Sequence, residues 1–267
     1  MSTHPLNVFL AEHRRLFVLT GAGCSTESGI PDYRDAQGSW KHAPPVTYAA
    51  FMGSEAIRKR YWARSLAGWP RVHAAKPNAA HLRLAELERI GRIELLLTQN
   101  VDGLHQRAGS QQVLDLHGRI DRVRCMGCAR LSPRAALQQQ LERLNPGWSD
   151  VTGRSAPDGD ADLEGLSFEQ FVVPPCPHCG AILKPDVVFF GESVPRERVE
   201  EALRRLKRAE AMLVVGSSLM IYSGYRFVQA AVGLKLPIAA INLGRTRADT
   251  LLSLKVSAPC GEVLGGL

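Results

Sequence analysis

Leu16-Phe17-Val18-Leu19-Thr20-Gly21-Ala22-Gly23-Cys24-Ser25 joins a short apolar run to a glycine-rich turn. Residues 16–20 carry no charge and run into a glycine, the pattern of a strand buried on both faces of a parallel sheet. Glycines in the following turn let the backbone approach a phosphate, and the N-terminus of the next helix favours its charge. The spacing departs from G-x-G-x-x-G: the third glycine is missing, and Ser25 and Thr26 stand after the turn. Alone, the turn is equally compatible with a tight strand-to-helix connection.

Working outward, residues 93–98, 113–116, 212–216 and 238–242 repeat the short apolar run. Helical patterns fall between them, over 81–90 and 199–209. Strands alternating with helices predict an α/β fold, a Rossmann-like doubly wound parallel sheet. Residues 120–187 break that rhythm with two C-x-x-C pairs, a helix-like segment at 133–144 and a loop over 148–165. They read as a small inserted zinc-binding module. Residues 36–80, rich in Trp, Tyr, Pro and Arg, read as a helical insertion. The Rossmann-like domain is then 1–35, 81–119 and 188–267.

The 267 residues, 45% hydrophobic and 22% charged, suit a globular protein with a sizeable core. Net charge is +7, but the basic residues are interspersed with acids and form no stripe with aromatics, so no nucleic-acid partner is expected. No apolar run is long enough to span a bilayer. Residues 1–10 lack a charged segment followed by an apolar one, so the expectation is a cytoplasmic protein with no membrane partner.

Gln99, Asn100 and Asp102 follow the second strand at its C-terminal end, where such sheets bind ligands. An amide such as nicotinamide needs an acceptor for its NH2, which Asp102 can supply, while Gln99 and Asn100 can hold ribose hydroxyls. Strand-end capping explains any one of the three but poorly explains all. His117, before Gly118, closes the third strand and is the natural general base for a hydroxyl. His105 is its rival, read as helical and facing away from a strand end. Gly216-Ser217-Ser218 repeats the phosphate-turn logic, and the irregular loop Ser28-Gly29-Ile30-Pro31-Asp32-Tyr33-Arg34 is placed to close over a cofactor. The ordered set describes a nucleotide cofactor whose ribose is itself attacked.

Cys125, Cys128, Cys176 and Cys179 form two knuckles whose four thiolates close a tetrahedral zinc shell. With no open position, that metal is structural. Cys24 and Cys260 are left over, and Cys24 reads as small filler in the phosphate turn rather than a nucleophile.

These motifs, in this order, resemble the sirtuins, NAD-dependent protein deacylases: GAGCSTESGIPDYR at 21–34, TQNVDGLH at 98–105, Leu116-His117-Gly118, the paired C-x-x-C, Gly216-Ser217-Ser218 and Asn242-Leu243-Gly244. The resemblance runs from about Leu16 to Cys260. Arg60-Tyr61-Trp62-Ala63-Arg64, Gly68-Trp69-Pro70, Ala156-Pro157-Asp158-Gly159-Asp160 and the stretch 184–192 resemble the class II branch, which includes a mitochondrial lipoamidase. Cys24 departs from the aliphatic residue that many members carry.

The resemblance implies one structural zinc and an NAD site. Gly21, Ala22 and Ser25 would serve the pyrophosphate. Ile30, Gln99, Asn100 and Asp102 would lie near the nicotinamide. Gly216, Ser217, Ser218, Asn242 and Cys260 would hold the adenosine. Gly23, Thr26, Pro31, Asp32, Tyr33, Arg34, Val101, Leu243 and Gly244 would complete the cofactor site. An acyl-lysine protein would lie along Val188, Phe189, Phe190 and Gly191. The acyl oxygen would attack the ribose as nicotinamide leaves, with Asn100 and His117 catalytic and His117 taking the hydroxyl proton. Free lysine and O-acyl-ADP-ribose would result. Mono-ADP-ribosyl transfer from the same site is the alternative. A sensing or scaffold protein with a dead site fits poorly with His117, Asn100 and Asp102 together.

Tyr61 and Arg64 lie one helical turn apart and can share a face. By resemblance they imply a pocket for longer or carboxylated acyl groups, against an Arg64 that forms only a structural ion pair. The acidic stretch Asp158, Asp160, Asp162 and Glu164 could, by resemblance, reach the active-site mouth and restrict acyl size.

Overall fold

The computed structural model describes residues 5–35, 37–41, 45–148, 151, 154–156, 160–163 and 165–267. In chain order, helix α1 (Pro5–Glu12) leads into β1 (Leu16–Thr20). Helices α2 (Tyr48–Gly53), α3 (Glu55–Ala74) and α4 (Ala79–Arg89) precede β2 (Ile93–Thr98), the short α5 (Leu104–Arg107) and β3 (Val113–Asp115). Then come β4 (Gly118–Cys125), β5 (Leu131–Pro133), α6 (Arg134–Leu144), β6 (Arg154–Ala156), β7 (Asp160–Asp162) and β8 (Leu183–Val187). The chain closes with α7 (Arg196–Leu206), β9 (Ala211–Val215), α8 (Tyr222–Gly233), β10 (Ile238–Ile241), β11 (Leu254–Val256) and α9 (Cys260–Gly265).

Six strands form one parallel sheet in the order β11-β10-β9-β1-β2-β3. All five residues of β1 and of β9 are buried, because helices cover both faces. Strand alternation divides the core in two. Leu16, Val18, Leu213 and Val215 face α1, α4 and α9. Phe17, Leu19, Met212 and Val214 face α7 and α8. Strand β11 was not anticipated; it is three half-buried edge residues, too short for a hydrophobic signal.

Strands β5-β4-β8 form a separate antiparallel sheet, and a third core joins it to α2 and α3. Trp62 and Trp69 of α3 sit in this core with Leu137 and Leu141 of α6 and with Phe171. The fully buried guanidinium of Arg134 lies 5.3 and 5.1 Å from the Trp62 and Trp69 rings and donates to the Ser65 carbonyl and hydroxyl. The segment read as a loop over 148–165 contains the hairpin β6-β7. Pro157, Asp158, Gly159 and Glu164 lie outside the described residues.

Topology reverses between β1 and β9, and there the two glycine turns touch. Gly23 N–H donates to Gly216 O at 2.8 Å, and Gly21 N–H donates to Val215 O at 3.0 Å. Gly216 has φ +63°, and a Cβ there would lie 2.1 Å from Cys24 N. Both the left-handed conformation and the contact require glycine. Gly216→Ala is expected to lower Tm by roughly 5–10 °C, the sum of left-handed strain and a backbone clash. Thermal unfolding followed by circular dichroism checks this.

Candidate active site

Beyond the carboxyl ends of β1 and β2 lies a cleft lined by Ala22, Ser25, Ile30, Pro31, Val72, Asn100, Val101 and Asp102. Asn100 Nδ2 donates to Gly21 O at 3.0 Å and to Ser25 Oγ at 3.1 Å. Ser25 Oγ donates to Asp102 Oδ2 at 2.8 Å, and Asp102 Oδ1 accepts from Leu104 N–H at the start of α5. The buried polar groups of the first turn and of the β2 end thus satisfy one another. Gln99 Nε2 donates to Ser217 Oγ at 2.8 Å, which ties the β2 end to the second turn.

Among the described residues, no acceptor faces the backbone N–H of Ala22, Ser217 or Ser218. Unpaired N–H groups at a strand-to-helix turn suit phosphate oxygens, so these residues fit a dinucleotide. Asn242 and Gly244 close their own turn, with Asn242 Nδ2 donating to Gly244 O at 2.9 Å, and Leu243 is exposed beside it. Cys260 is buried at the head of α9, its Sγ 3.7 Å from Ile241 O, and burial lifts its thiol to about 12.

His117 Nδ1 lies 3.0 Å from the Gln99 carbonyl and Nε2 lies 2.8 Å from Ser223 Oγ. A carbonyl only accepts, so Nδ1 carries the hydrogen and Nε2 offers its lone pair to a hydroxyl. Burial lowers this imidazole to about 4, against the Gln99 hydrogen bond that favours its charged form. It is therefore an unprotonated base at neutral pH. Ser223 had no signal in the sequence, because its neighbour in space is 106 positions away.

His105 is helical as expected, in α5, but it does not face away from a strand end: its Nε2 meets Thr20 Oγ1, on the last residue of β1, at 2.9 Å. The four-residue helix folds back over the sheet, and the Thr20 hydroxyl gives the ring a partner. Burial holds His105 well below the usual imidazole range.

Over the cleft, Arg34 bridges to Trp40, with its guanidinium 4.0 Å from the indole ring and donating to Gly38 O at 2.6 Å. Asp32 pairs with Lys41, and Tyr33 makes an edge contact with Trp40. These side chains are occupied within the flap, whereas Ile30 and Pro31 line the cleft itself. Thr26 Oγ1 donates to Gly23 O.

On the opposite wall, Val188 N–H donates to His117 O at 2.8 Å, and Phe190 O accepts from Tyr48 N–H at 2.9 Å. Tyr61 makes ring contacts with Phe51 and Phe189, both at 5.3 Å between centroids. Phe190 meets Trp40 at 5.6 Å, and Gly191 turns the chain with φ +80°. Arg64 is paired with Asp160 of β7: Nε to Oδ1 is 2.9 Å and Nη2 to Oδ2 is 2.8 Å.

Cys125, Cys128, Cys176 and Cys179 converge between β4 and the segment before β8, with all four sulfurs within 4.8 Å of one another. Cys125–Cys179 is 3.4 Å and Cys128–Cys176 is 3.9 Å, against about 3.8 Å expected for tetrahedral thiolates bonded at about 2.3 Å to zinc. The Cys128 and Gly127 N–H groups point at Cys125 Sγ and pull its thiol down to about 6. The donor set fits zinc, which would stabilise the module without an open coordination position.

The fold and this site define a class, NAD-dependent protein-modifying enzymes built on a Rossmann-like sheet with a structural zinc. Residues 21–223 match the model of the Sir2 family. An NAD-dependent protein deacetylase of Xanthomonas campestris is 65% identical over 98% of this chain and 89% of its own. The mitochondrial NAD-dependent protein lipoamidase sirtuin-4 of Bos taurus is 48% identical over 97% of this chain and 83% of its own. A solved Sir2 with p53 peptide and NAD+ is 31% identical, with a TM-score of 0.80 over 99% of this chain and 96% of that one. The chain belongs to the Sir2 family and is an NAD-dependent protein deacetylase of the sirtuin type. Among the described residues no helix is long and apolar enough to cross a membrane.

Nitrogen-detected NMR of the histidine rings is expected to show His117 as the Nδ1–H tautomer, neutral down to about pH 4, and His105 neutral well below pH 6.5. Because only unprotonated Nε2 can accept a proton, the acid limb of kcat/KM then falls below pH 6.5. A His117 midpoint near 6.5 would contradict the buried-base geometry.

Proposed function

We propose that the enzyme transfers neutral acyl groups, acetyl and longer, from protein lysine to the ADP-ribose of NAD. The observation that carries this is His117 Nε2 facing the Ser223 hydroxyl at 2.8 Å while Nδ1 is held by the carbonyl of Gln99, the residue before Asn100 of the cleft. Ser223 Oγ stands for the ribose hydroxyl that His117 would deprotonate, within reach for general-base catalysis. NAD supplies the ribose carbon that the acyl oxygen attacks as nicotinamide departs. Asn100 and Asp102, cross-linked through Ser25, would orient the ribose and nicotinamide ends. The unpaired N–H groups of Ala22, Ser217 and Ser218 would bind phosphate oxygens.

Acyl preference follows from the opposite wall. Phe51, Tyr61 and Phe189 pack ring on ring in a buried aromatic cluster, surroundings that favour an apolar chain over a charged one. Asp160 already holds Arg64 through two contacts, so a succinyl or glutaryl carboxylate would have to displace it. Burial raises the Asp160 carboxyl above its usual range, opposed by Arg64, so the side chain depends on that partner. This supports the expectation of longer acyl groups and weighs against carboxylated ones.

The test is a panel of acetyl-, propionyl-, succinyl-, glutaryl- and lipoyl-lysine peptides with NAD, read by mass spectrometry for free lysine and O-acyl-ADP-ribose. Neutral acyl groups are expected to turn over at least about 10-fold faster than carboxylated ones, one charge-pair contact of about 1.4 kcal/mol. Asp160→Asn is expected to raise succinyl and glutaryl rates relative to acetyl, and Arg64→Met to abolish that gain. Preference for succinyl in the parent would overturn the acyl assignment. NAD label on protein rather than on acyl product would favour ADP-ribosyl transfer.

A further inference from the structure

Behind the phosphate turn, on the side away from the cleft lining, lies a group of polar side chains that the deacylation chemistry does not use. Cys24, His81 and His105 come from the first glycine turn, α4 and α5, and their relative exposures are 0, 0 and 1%. One ligand atom from each lies within 4.8 Å of the other two. His81 Nε2 and His105 Nδ1 are fully enclosed and have no hydrogen-bond partner among the described residues. Two orphaned ring nitrogens in one buried cluster are costly unless something occupies the space between them.

We propose that Cys24, His81 and His105 form a second metal site, separate from the four cysteines, which takes a zinc-class cation. Three points within 4.8 Å of one another have a common centre no more than about 2.8 Å from each. Zinc bonds are about 2.3 Å to sulfur and about 2.0–2.1 Å to imidazole nitrogen, so side-chain shifts of about 0.5–0.8 Å bring the three donors to bonding distance. One thiolate and two neutral imidazoles suit zinc and copper(I) and disfavour magnesium and calcium.

The outer hydrogen bonds set His105 for ligation and give His81 an acceptor for its ring hydrogen. Thr20 Oγ1 donates to Thr98 Oγ1, so it accepts from His105 Nε2–H and leaves Nδ1 with a bare lone pair. Asn78 Nδ2 donates to Cys24 O, which orients Oδ1 as an acceptor 3.0 Å from His81 Nδ1. A hydrogen on Nδ1 directed to Oδ1 frees Nε2 for the cation. Nδ1 also accepts from Asn78 N–H at 3.3 Å, so ligation through Nε2 moves the ring hydrogen to Nδ1 and gives up that longer contact. Loading releases the Cys24 proton to solvent as the sulfur–metal bond forms. Carboxylates of Asp102 and Glu27 act on both Cys24 and His81 and favour a cation, against Arg107. Asn78 grips Cys24 and His81 together, so occupancy would also brace the turn assigned to the NAD pyrophosphate.

Protein loaded with excess zinc chloride and desalted is expected to carry two zinc ions per chain by plasma mass spectrometry. Cys24→Val and His81→Gln, the latter able to keep the α4 cap, should each carry one, while Cys260→Ser keeps two. Cobalt(II) added to protein with only the four-cysteine site filled should give a thiolate charge-transfer band that is lost in Cys24→Val. Far-ultraviolet circular dichroism of each variant reports folding independently. One zinc in the parent, or two in a folded Cys24→Val, would overturn the proposal.

Discussion

The backbone contact between Gly216 and Gly23-Cys24 is the constraint on which the rest of the structure depends. It brings the ends of β1 and β9 close enough for both turns to face one ligand, and any side chain at Gly216 would occupy Cys24's backbone space. Gly21 is similarly confined, with a virtual Cβ 2.8 Å from Ser217 Cβ. Everything assembled at the site hangs from this junction: Asn100 bonds Gly21 O, Gln99 bonds Ser217, and Asn78 bonds Cys24 O. The glycines therefore serve two purposes, room for a phosphate and room for one another.

The far wall of the cleft depends on a different kind of interaction, buried charge held by aromatic rings and by partners. Arg134 fixes α6 of the zinc module against Trp62 and Trp69 of α3. Burial lowers its guanidinium to about 10, a measure of how little water reaches it. Lys184 plays the matching role near the substrate segment: its ammonium donates to Val187 O and to Glu192, 4.7 Å from the Phe189 ring. Breaking either would leave an unpaired charge in the third core, which is far more costly than losing a surface pair. Zinc held by the four cysteines would fix one end of this wall, while these cations fix its middle.

The α/β class was legible in the sequence because short, mostly apolar runs ending in turn residues alternate with helical patterns, as strands covered on both faces do. The sequence also determined the four-cysteine zinc set, since C-x-x-C spacing makes a knuckle from local geometry alone. Gln99, Asn100, Asp102 and His117 were legible as a group because each ends a strand, where alternation stops and ligand-binding loops begin. Asn78 could have been read as a helix cap from its place before α4. Only the tertiary structure decided which distant side chains met them. Ser223 reaches His117, Asp160 takes Arg64, and Thr20 turns His105 toward the sheet, each across tens of residues of chain. Those pairings depend on where helices cross and on how deeply each group is buried. Periodicity and spacing carry neither quantity, since they report a residue's neighbours along the chain and not those across the core.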